Sequence, residues 1–190
     1  MALKKVLTIA GSDTSAGAGM QADLKTFQEL DTYGMVALTA VVTMDKETWS
    51  HDVTPLPMDL FEKQLETAIS IGPDAVKTGM LGTQEIIKRA GEAFEESGAQ
   101  YFVVDPVMVC KGEDEVLNPG NTDAMIEYLL PKATVVTPNL FEAGQLSGLG
   151  KLTSIENMKK AADIIFNQGA QNVIIKGGKA LDQDKSYDLY

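Results

Sequence analysis

Apolar runs and amphipathic stretches alternate along the chain. Six short apolar runs rich in β-branched residues predict buried strands, at residues 5–11, 35–42, 74–79, 101–105, 133–137 and 172–176. Apolar residues at helical spacing predict intervening helices around 20–31, 61–69, 86–94 and 158–165, and Thr153 with Glu156 has the spacing of a capping box for the last one. Because the strands are apolar throughout, we expect an α/β fold with a mostly parallel sheet covered by helices on both faces.

Charge and composition exclude several classes of protein. The formal net charge of the 190 residues is −11, and no basic stripe is present, so we expect no nucleic-acid partner. A single cysteine, Cys110, excludes an internal disulfide framework. No apolar run approaches the roughly 18–20 residues of a membrane span, and the short run after Lys4 and Lys5 is too short for a secretory signal. We therefore expect a cytoplasmic protein that does not bind membranes.

Glycines and polar residues collect where the predicted strands end. In parallel sheets covered by helices, ligands bind at the carboxyl edge of the strands. Five such clusters follow predicted strands, at residues 11–19, 79–82, 105–112, 139–142 and 177–178. The sequence thus predicts a ligand site along this edge.

The first of these clusters allows more than one interpretation. The glycines fit a tight strand-to-helix turn, or a backbone that approaches a ligand closely. Gly17, Gly19 and Ala22 also fit a dinucleotide-binding fingerprint, with Asp45 after the second strand. That alternative is disfavoured because the predicted strand ends at Gly11, six residues before Gly17.

Two later clusters are equally open when taken alone. Asn139 fits a helix cap and Glu142 the favourable end of a helix dipole, but both also suit a phosphate group or its magnesium ion. Lys176, Gly177 and Gly178 fit either a simple turn or a lysine with flexible backbone beside phosphates.

Five motifs together resemble one family over essentially the whole chain. They are GSDTSAGAGMQADLKTF (11–27), KTGMLG (77–82), DPVM (105–108), TPNLFEA (137–143) and KGG (176–178). In this order they are similar to the hydroxymethylpyrimidine kinase and pyridoxal kinase branch of the ribokinase-like superfamily. The resemblance implies a three-layer α/β fold and transfer of phosphate from Mg-ATP to the hydroxymethyl group of a small aromatic heterocycle. It further implies a homodimer and leaves room for a monovalent cation.

The resemblance also assigns residues to the two substrates. The heterocyclic alcohol or aldehyde is expected at Gly11, Ala18, Gly19, Asp23, Met44, Met80, Asp105 and Val107. ATP is expected at Asn139, Lys176, Gly177, Gly178, Lys179, Ala180 and Asp188, with magnesium at Glu142.

Met44 bears on the choice of heterocycle. Family members that act on the aminopyrimidine typically have Gln or Glu here, which can pair with its exocyclic amine. A thioether packs well against the methyl group of pyridoxine but would leave a buried amine unpaired, at a cost of about 1–3 kcal/mol. Met44 therefore favours a vitamin B6 kinase, with a hydroxymethylpyrimidine or hydroxymethylpyrimidine-phosphate kinase as the alternative.

Cys110 and Lys111 are candidates for a further catalytic role. Cys110 could be a small buried hydrophobe, but the adjacent Lys111 favours the thiolate, and a thiol can add reversibly to the aldehyde of pyridoxal. His51, the single histidine, is expected in a surface loop, or with Trp49 in a flap over the site.

One element of the family pattern does not occur in these residues. The family carries a glycine-rich anion hole that faces the transferring phosphoryl group, and nothing after Gly178 resembles it. We therefore expect residues 1–190 to be a single kinase domain that is incomplete at its carboxyl end, with SYDLY (186–190) as a strand cut off from its continuation. A vitamer- or nucleotide-binding fragment without activity is the non-kinase alternative.

Overall fold

A computed structural model of the chain describes residues 3–108, 120–178, 181 and 184–190, and its centre is a six-stranded sheet. The strands are β1 (Lys5–Asp13), β2 (Tyr33–Met44), β3 (His51–Pro55), β4 (Ala75–Thr78), β5 (Tyr101–Val104) and β6 (Val135–Val136). Their order is β3-β2-β1-β4-β5-β6, and only the β2–β3 pair is antiparallel. The carboxyl ends of β1, β2, β4, β5 and β6 therefore share one edge.

A two-stranded sheet lies beyond β6. It pairs β7 (Ile175–Lys176) with β8 (Asp188–Leu189) in antiparallel fashion. Isolated parallel bridges, Val136 to Val173 and Asn139 to Lys176, continue the main sheet toward β7. The end of the chain thus includes a strand, as the sequence predicts for residues 186–190, and its side chains reach the same edge.

Helices cover the sheet on both faces. They are α1 (Gly19–Glu29), α2 (Met58–Ser70), α3 (Gln84–Ser97), α4 (Gly120–Tyr128), α5 (Leu140–Ser147) and α6 (Ile155–Asn167), with a 3-10 turn at Leu130–Lys132. From β1 the chain first moves to one side, to β2, and later to the other, to β4, β5 and β6. Right-handed crossovers then place α1 on one face and α3 and α4 on the other, where α2 packs against α3. The predicted α/β fold is confirmed. None of the described helices is both long and apolar enough to cross a membrane.

The core fills the space between the sheet and the helices. Leu7, Ile9 and Phe102 are fully buried, and the ring of Phe102 stacks on Phe94 of α3 with centroids 4.5 Å apart. Full burial of such side chains stabilises the fold by about 1.5–3 kcal/mol each. This packing fixes the strands whose ends carry the site.

Several local predictions were wrong. β1 continues two residues past Gly11, because Ser12 and Asp13 resume pairing with β2 after a register shift. His51 begins β3 and so does not lie in a loop, while Trp49 stands in the turn before it, exposed and at a φ of 59°. The cap of α6 is Ser154, whose hydroxyl accepts from the Asn157 N–H at 3.2 Å, and the pair predicted from Thr153 does not form it.

Candidate active site

The loop after β1 is held by the buried carboxylate of Asp13. This carboxylate accepts hydrogen bonds from the Ser15 N–H and hydroxyl and from the Ala18 N–H, each at 2.8 Å. Burial raises the pKa of Asp13, but the hydrogen bonds from Ser15 and Ala18 outweigh it and leave the pKa below its ordinary value. The loop between β1 and α1 is therefore fixed by an ionised group beneath it.

Two glycines of this loop permit close approach. Gly19 has a φ of +59°, and a Cβ there would lie 2.5 Å from the Gly11 carbonyl oxygen. A Cβ at Gly11 would lie 3.7 Å from the Met80 Cβ and 3.8 Å from its sulfur. The structure thus brings together three predicted substrate residues, Gly11, Gly19 and Met80, with Met80 facing the glycine backbone.

Asp23 lies on α1 and faces the sheet. Its carboxylate accepts from the Thr8 hydroxyl at 2.6 Å and pairs with the Lys77 ammonium at 3.1 and 3.2 Å. The Asp23 side chain is only 14% exposed and that of Lys77 23% exposed. The Asp23 carboxylate is thus held by the Thr8 hydroxyl and the Lys77 ammonium group. It presents a fixed negative charge beside a positive one.

The remaining predicted substrate residues lie around this wall. Ala18 caps α1, and Met44 ends β2 opposite His51 of β3. Val107 follows β5, where its N–H donates to the Asp105 carbonyl at 2.9 Å. Among the described residues, no hydrogen bond joins Met44 or Val107 to Met80. Cys110 and Lys111 lie outside the described residues, as do Lys179 and Ala180.

At the other end of the edge, Asn139 and Glu142 form a capping box. The Asn139 side chain accepts from the Glu142 N–H at 2.9 Å, and the Glu142 carboxylate accepts from the Asn139 N–H at 2.8 Å. The interpretation of Asn139 as a helix cap is therefore confirmed, and Glu142 closes the box from the first turn of α5. The Met108 N–H also donates to the Glu142 carboxyl group.

Burial and the neighbouring charges together set the pKa of Glu142. Burial, above all, raises the pKa of Glu142 to about 7; the nearby Asp105 carboxylate adds to this, while the Asn139 N–H and Lys176 oppose it. The Lys176 ammonium lies 2.9 Å from Asp105. Among the described residues, Asp105 and Glu142 are thus balanced by the single ammonium group of Lys176. A further positive charge would be stabilised here.

The end of β7 completes this region. The Lys176 N–H donates to the Pro138 carbonyl at 2.8 Å, and the Gly177 N–H donates to the Asp188 carboxylate at 3.1 Å. Gly178 is exposed with a φ of +54°. The structure therefore gathers five of the predicted nucleotide residues, Asn139, Lys176, Gly177, Gly178 and Asp188, beside the predicted metal ligand.

Comparison with known proteins decides the family. The phosphomethylpyrimidine kinase family matches residues 13–190. The chain belongs to this family. A solved pyridoxal kinase of Staphylococcus aureus, in complex with AMP-PCP and pyridoxal, superposes with a TM-score of 0.95 at 86% identity over 100% of this chain and 68% of that one.

Two Bacillus subtilis members of the family match at lower identity. Its pyridoxine kinase is 52% identical over 191 residues, and its hydroxymethylpyrimidine/phosphomethylpyrimidine kinase is 43% identical over 190 residues. This chain spans 70% and 69% of their lengths. Family membership removes the dinucleotide interpretation of the first loop.

Some residues of the kinase site were not predicted. Lys77 was not singled out, although a charged residue inside a buried strand requires a partner, and that was the available signal. Asp13 binds Ser15 and Ala18 within its own loop, whereas Thr8 reaches Asp23 fifteen positions away, a contact that no local pattern reports. Met80, in contrast, was found through the family motif.

Proposed function

We propose that this protein transfers the γ-phosphoryl group of ATP to the hydroxymethyl group of a vitamin B6 vitamer: pyridoxal, pyridoxine or pyridoxamine. The observation that carries the proposal is the 86% identical pyridoxal kinase, which holds an ATP analogue and pyridoxal together and matches this chain along its full length. Homologues at this identity share their site geometry. The lower identity to the hydroxymethylpyrimidine kinase supports the pyridine ring over the pyrimidine ring.

The vitamer side of the site consists of the wall around Met80. Gly11 and Gly19 let the ring approach the backbone, Met80 packs against it, and the anchored Asp23 accepts a hydrogen bond from it. Ala18, Met44, Asp105 and Val107 complete the assignment. Such a wall orients the hydroxymethyl group, and orientation is a large part of what phosphoryl transfer requires of a protein.

The nucleotide side consists of the groups at the ends of β6 and β7. Lys176 supplies positive charge to the phosphates, and Gly177 and Gly178 lie along the nucleotide with Asp188 at its edge. The family resemblance assigns Lys179 and Ala180 to the nucleotide as well. Asn139 holds the first turn of α5 in place. These roles are charge stabilisation and positioning, which dominate phosphoryl transfer.

A magnesium ion fits this region. Among the described residues, no group of three or more histidine, cysteine or acidic side chains could hold a metal ion alone. Magnesium is usually held by one or two carboxylates together with substrate phosphates and water. Glu142, a buried carboxyl group beside Asp105 whose pKa is raised chiefly by burial, suits that arrangement. Glu142 would hold the ion, which would neutralise phosphate charge when bound together with ATP.

Cys110 and Lys111 are proposed to act on pyridoxal. The Cys110 thiol adds across the aldehyde C=O, forming a C–S bond and placing the thiol proton on the oxygen, and Lys111 favours the thiolate. Pyridoxine has no aldehyde. A Cys110→Ala variant is therefore expected to lower kcat/KM for pyridoxal and leave pyridoxine unaffected, and equal effects on both would contradict the role.

The test of the function is turnover by the full chain with Mg-ATP. Pyridoxal, pyridoxine and hydroxymethylpyrimidine are compared by ADP release and by mass analysis of the product. Phosphorylation of a B6 vitamer with the higher kcat/KM supports the proposal. Preferred phosphorylation of hydroxymethylpyrimidine would contradict the proposal and support the alternative, a hydroxymethylpyrimidine kinase. Binding of vitamer or ATP without turnover would contradict it and support a binding role without activity. We also propose that the protein is a cytoplasmic homodimer. Light scattering of the purified protein would test the dimer through its molar mass.

A further inference from the structure

Residues 79–82 form the short loop that carries Met80, and we infer that Thr39 and Asn121 are positioning residues that fix this loop for the vitamer. This inference rests on the proposed function. The Thr39 hydroxyl donates to the Met80 carbonyl at 2.7 Å, and the Asn121 side-chain amide donates to the Gly82 carbonyl at 2.9 Å. Neither residue belongs to the site assigned above.

The loop depends on these side chains because the sheet has ended. The Gly79 N–H still donates to the Ile9 carbonyl at 2.9 Å, the last ladder-like contact before the loop. Of the carbonyls of Met80, Leu81 and Gly82, only that of Leu81 accepts from the backbone of another described residue, from the Thr83 N–H at 3.0 Å. Those of Met80 and Gly82 accept from side chains 41 and 39 positions away in sequence.

Both donors are rigid. Thr39 is fully buried in β2 and Asn121 is only 4% exposed at the start of α4, so neither can exchange its contact for water without moving the backbone. Buried carbonyls that lose a donor are costly, which makes such contacts decisive for loop position. Thr39 also lies next to Ala40, whose carbonyl would be 3.5 Å from a Cβ at Gly11. The same strand therefore supplies the donor to Met80 and a carbonyl beside Gly11, the residue that Met80 faces.

The consequence for the vitamer follows from the position of Met80. The Met80 side chain faces Gly11, so a shift of the loop changes the distance between these two residues, which both contact the vitamer in the proposed site. Small displacements of positioning groups have large effects on reactions that depend on orientation. Among the described residues, no hydrogen bond joins the nucleotide residues at β6 and β7 to this loop. Loss of either donor should therefore affect the vitamer and spare ATP.

The experiment compares Thr39→Val, Thr39→Ser and Asn121→Leu in the full chain. Thr39→Val keeps the shape and removes the donor, whereas Thr39→Ser keeps the donor. We expect Thr39→Val and Asn121→Leu to raise the KM for pyridoxal about three- to tenfold with the KM for ATP within about twofold, and Thr39→Ser to remain near wild type.

The matched control is Thr78→Val. Thr78 is also fully buried in a central strand, but its hydroxyl has no hydrogen-bond partner among the described residues. The same substitution there removes no contact, so both KM values should stay unchanged. A general effect of replacing a buried threonine would appear equally at this position.

Amide hydrogen exchange gives a readout that does not depend on catalysis. Loss of the Thr39 or Asn121 donor should speed exchange in residues 79–83 and leave the strands of the sheet protected. A selective rise in the KM for pyridoxal with this local exchange supports the inference. Unchanged exchange and KM, or a rise in both KM values with faster exchange throughout, overturns it. If the wild-type chain phosphorylates no vitamer, the proposed function fails, and the exchange result alone decides the role of the two donors.

Discussion

Replacing Glu142 with glutamine separates the structural role of this side chain from the cost of its charge. Glu142 is 4% exposed and accepts from the Asn139 N–H at 2.8 Å to close the capping box. Glutamine serves equally well at this position of a capping box, so Glu142→Gln keeps the contact. The substitution then measures what burial of the carboxylate costs the fold.

The magnitude follows from the raised pKa. Burial raises the pKa of Glu142 from 4.5 to about 7. Between these values the folded protein binds a proton that the unfolded chain does not, so the stability linked to it is present at low pH and is lost as pH rises through 7. At about 1.4 kcal/mol per pH unit, the difference corresponds to about 3 kcal/mol above pH 8. The glutamine variant does not titrate and escapes this loss.

Thermal unfolding at pH 5 and pH 8.5, without metal, measures the effect. For a chain of this size about 1 kcal/mol shifts Tm by about 2–4 °C, so the variant should melt about 6–12 °C above wild type at pH 8.5 and close to it at pH 5. Glu156→Gln is the control. Glu156 is an exposed glutamate whose pKa is lowered by its hydrogen bond from Lys159, so its replacement should give no gain at pH 8.5.

The response to magnesium and the kinase activity of Glu142→Gln test the assignment of Glu142 to the metal ion. With ATP analogue present, magnesium should raise the Tm of wild type and have little effect on Glu142→Gln, and the variant should lose about 100-fold or more in kcat. A variant that melts below wild type at pH 8.5, or a difference that does not change with pH, would refute the reasoning from burial. Full activity of the variant would refute the assignment of Glu142 to the metal.

Three further predictions concern single positions. Gly19→Ala should destabilise the chain by about 2 kcal/mol or more in urea unfolding, because of its positive φ and the Gly11 carbonyl, and an unchanged midpoint would contradict this. Lys77→Met and Asp23→Asn should show a coupling of about 1–2 kcal/mol in a double-mutant cycle of unfolding, and additive effects would mean that their ion pair contributes nothing. Lys176→Met should raise the KM for ATP about tenfold or more and leave that for pyridoxal unchanged, and a rise for the vitamer would place Lys176 elsewhere in the reaction.

The architecture was predictable because the central strands are apolar on both faces. Such runs, as in β1 and β5, stand out from the amphipathic helices between them, and their order places the ligand site at one edge. The cap at Asn139 was also within reach, since a capping box has a local sequence pattern. These features depend on neighbours within a few positions.

The missed elements lack such a local signal. β3 (His51–Pro55) is polar and ends in proline, and it becomes a strand only because β2 offers an antiparallel edge. In α4 (Gly120–Tyr128) the buried residues include Asn121, so its apolar spacing is irregular. Lys77 and Asp23 meet although 54 positions separate them. Contacts of this kind require the fold before they can be seen.

The spacing of the sheet argues that the nucleotide must arrive with a cation. Three strand intervals separate β1, beside the vitamer wall, from β6, beside the nucleotide groups, which is about 14 Å at the usual strand spacing. The phosphates must therefore pass over the ends of β4, β5 and β6, where, of the described residues, Asp105 and the buried Glu142 face the ammonium group of Lys176. Counting these described residues, a triphosphate entering alone would meet two carboxyl groups and one ammonium group, an unfavourable balance for a polyanion. A divalent ion carried by the phosphates reverses that balance. Its positive charge would also stabilise the ionised form of the buried Glu142. We therefore expect ATP to bind this edge tightly only together with magnesium.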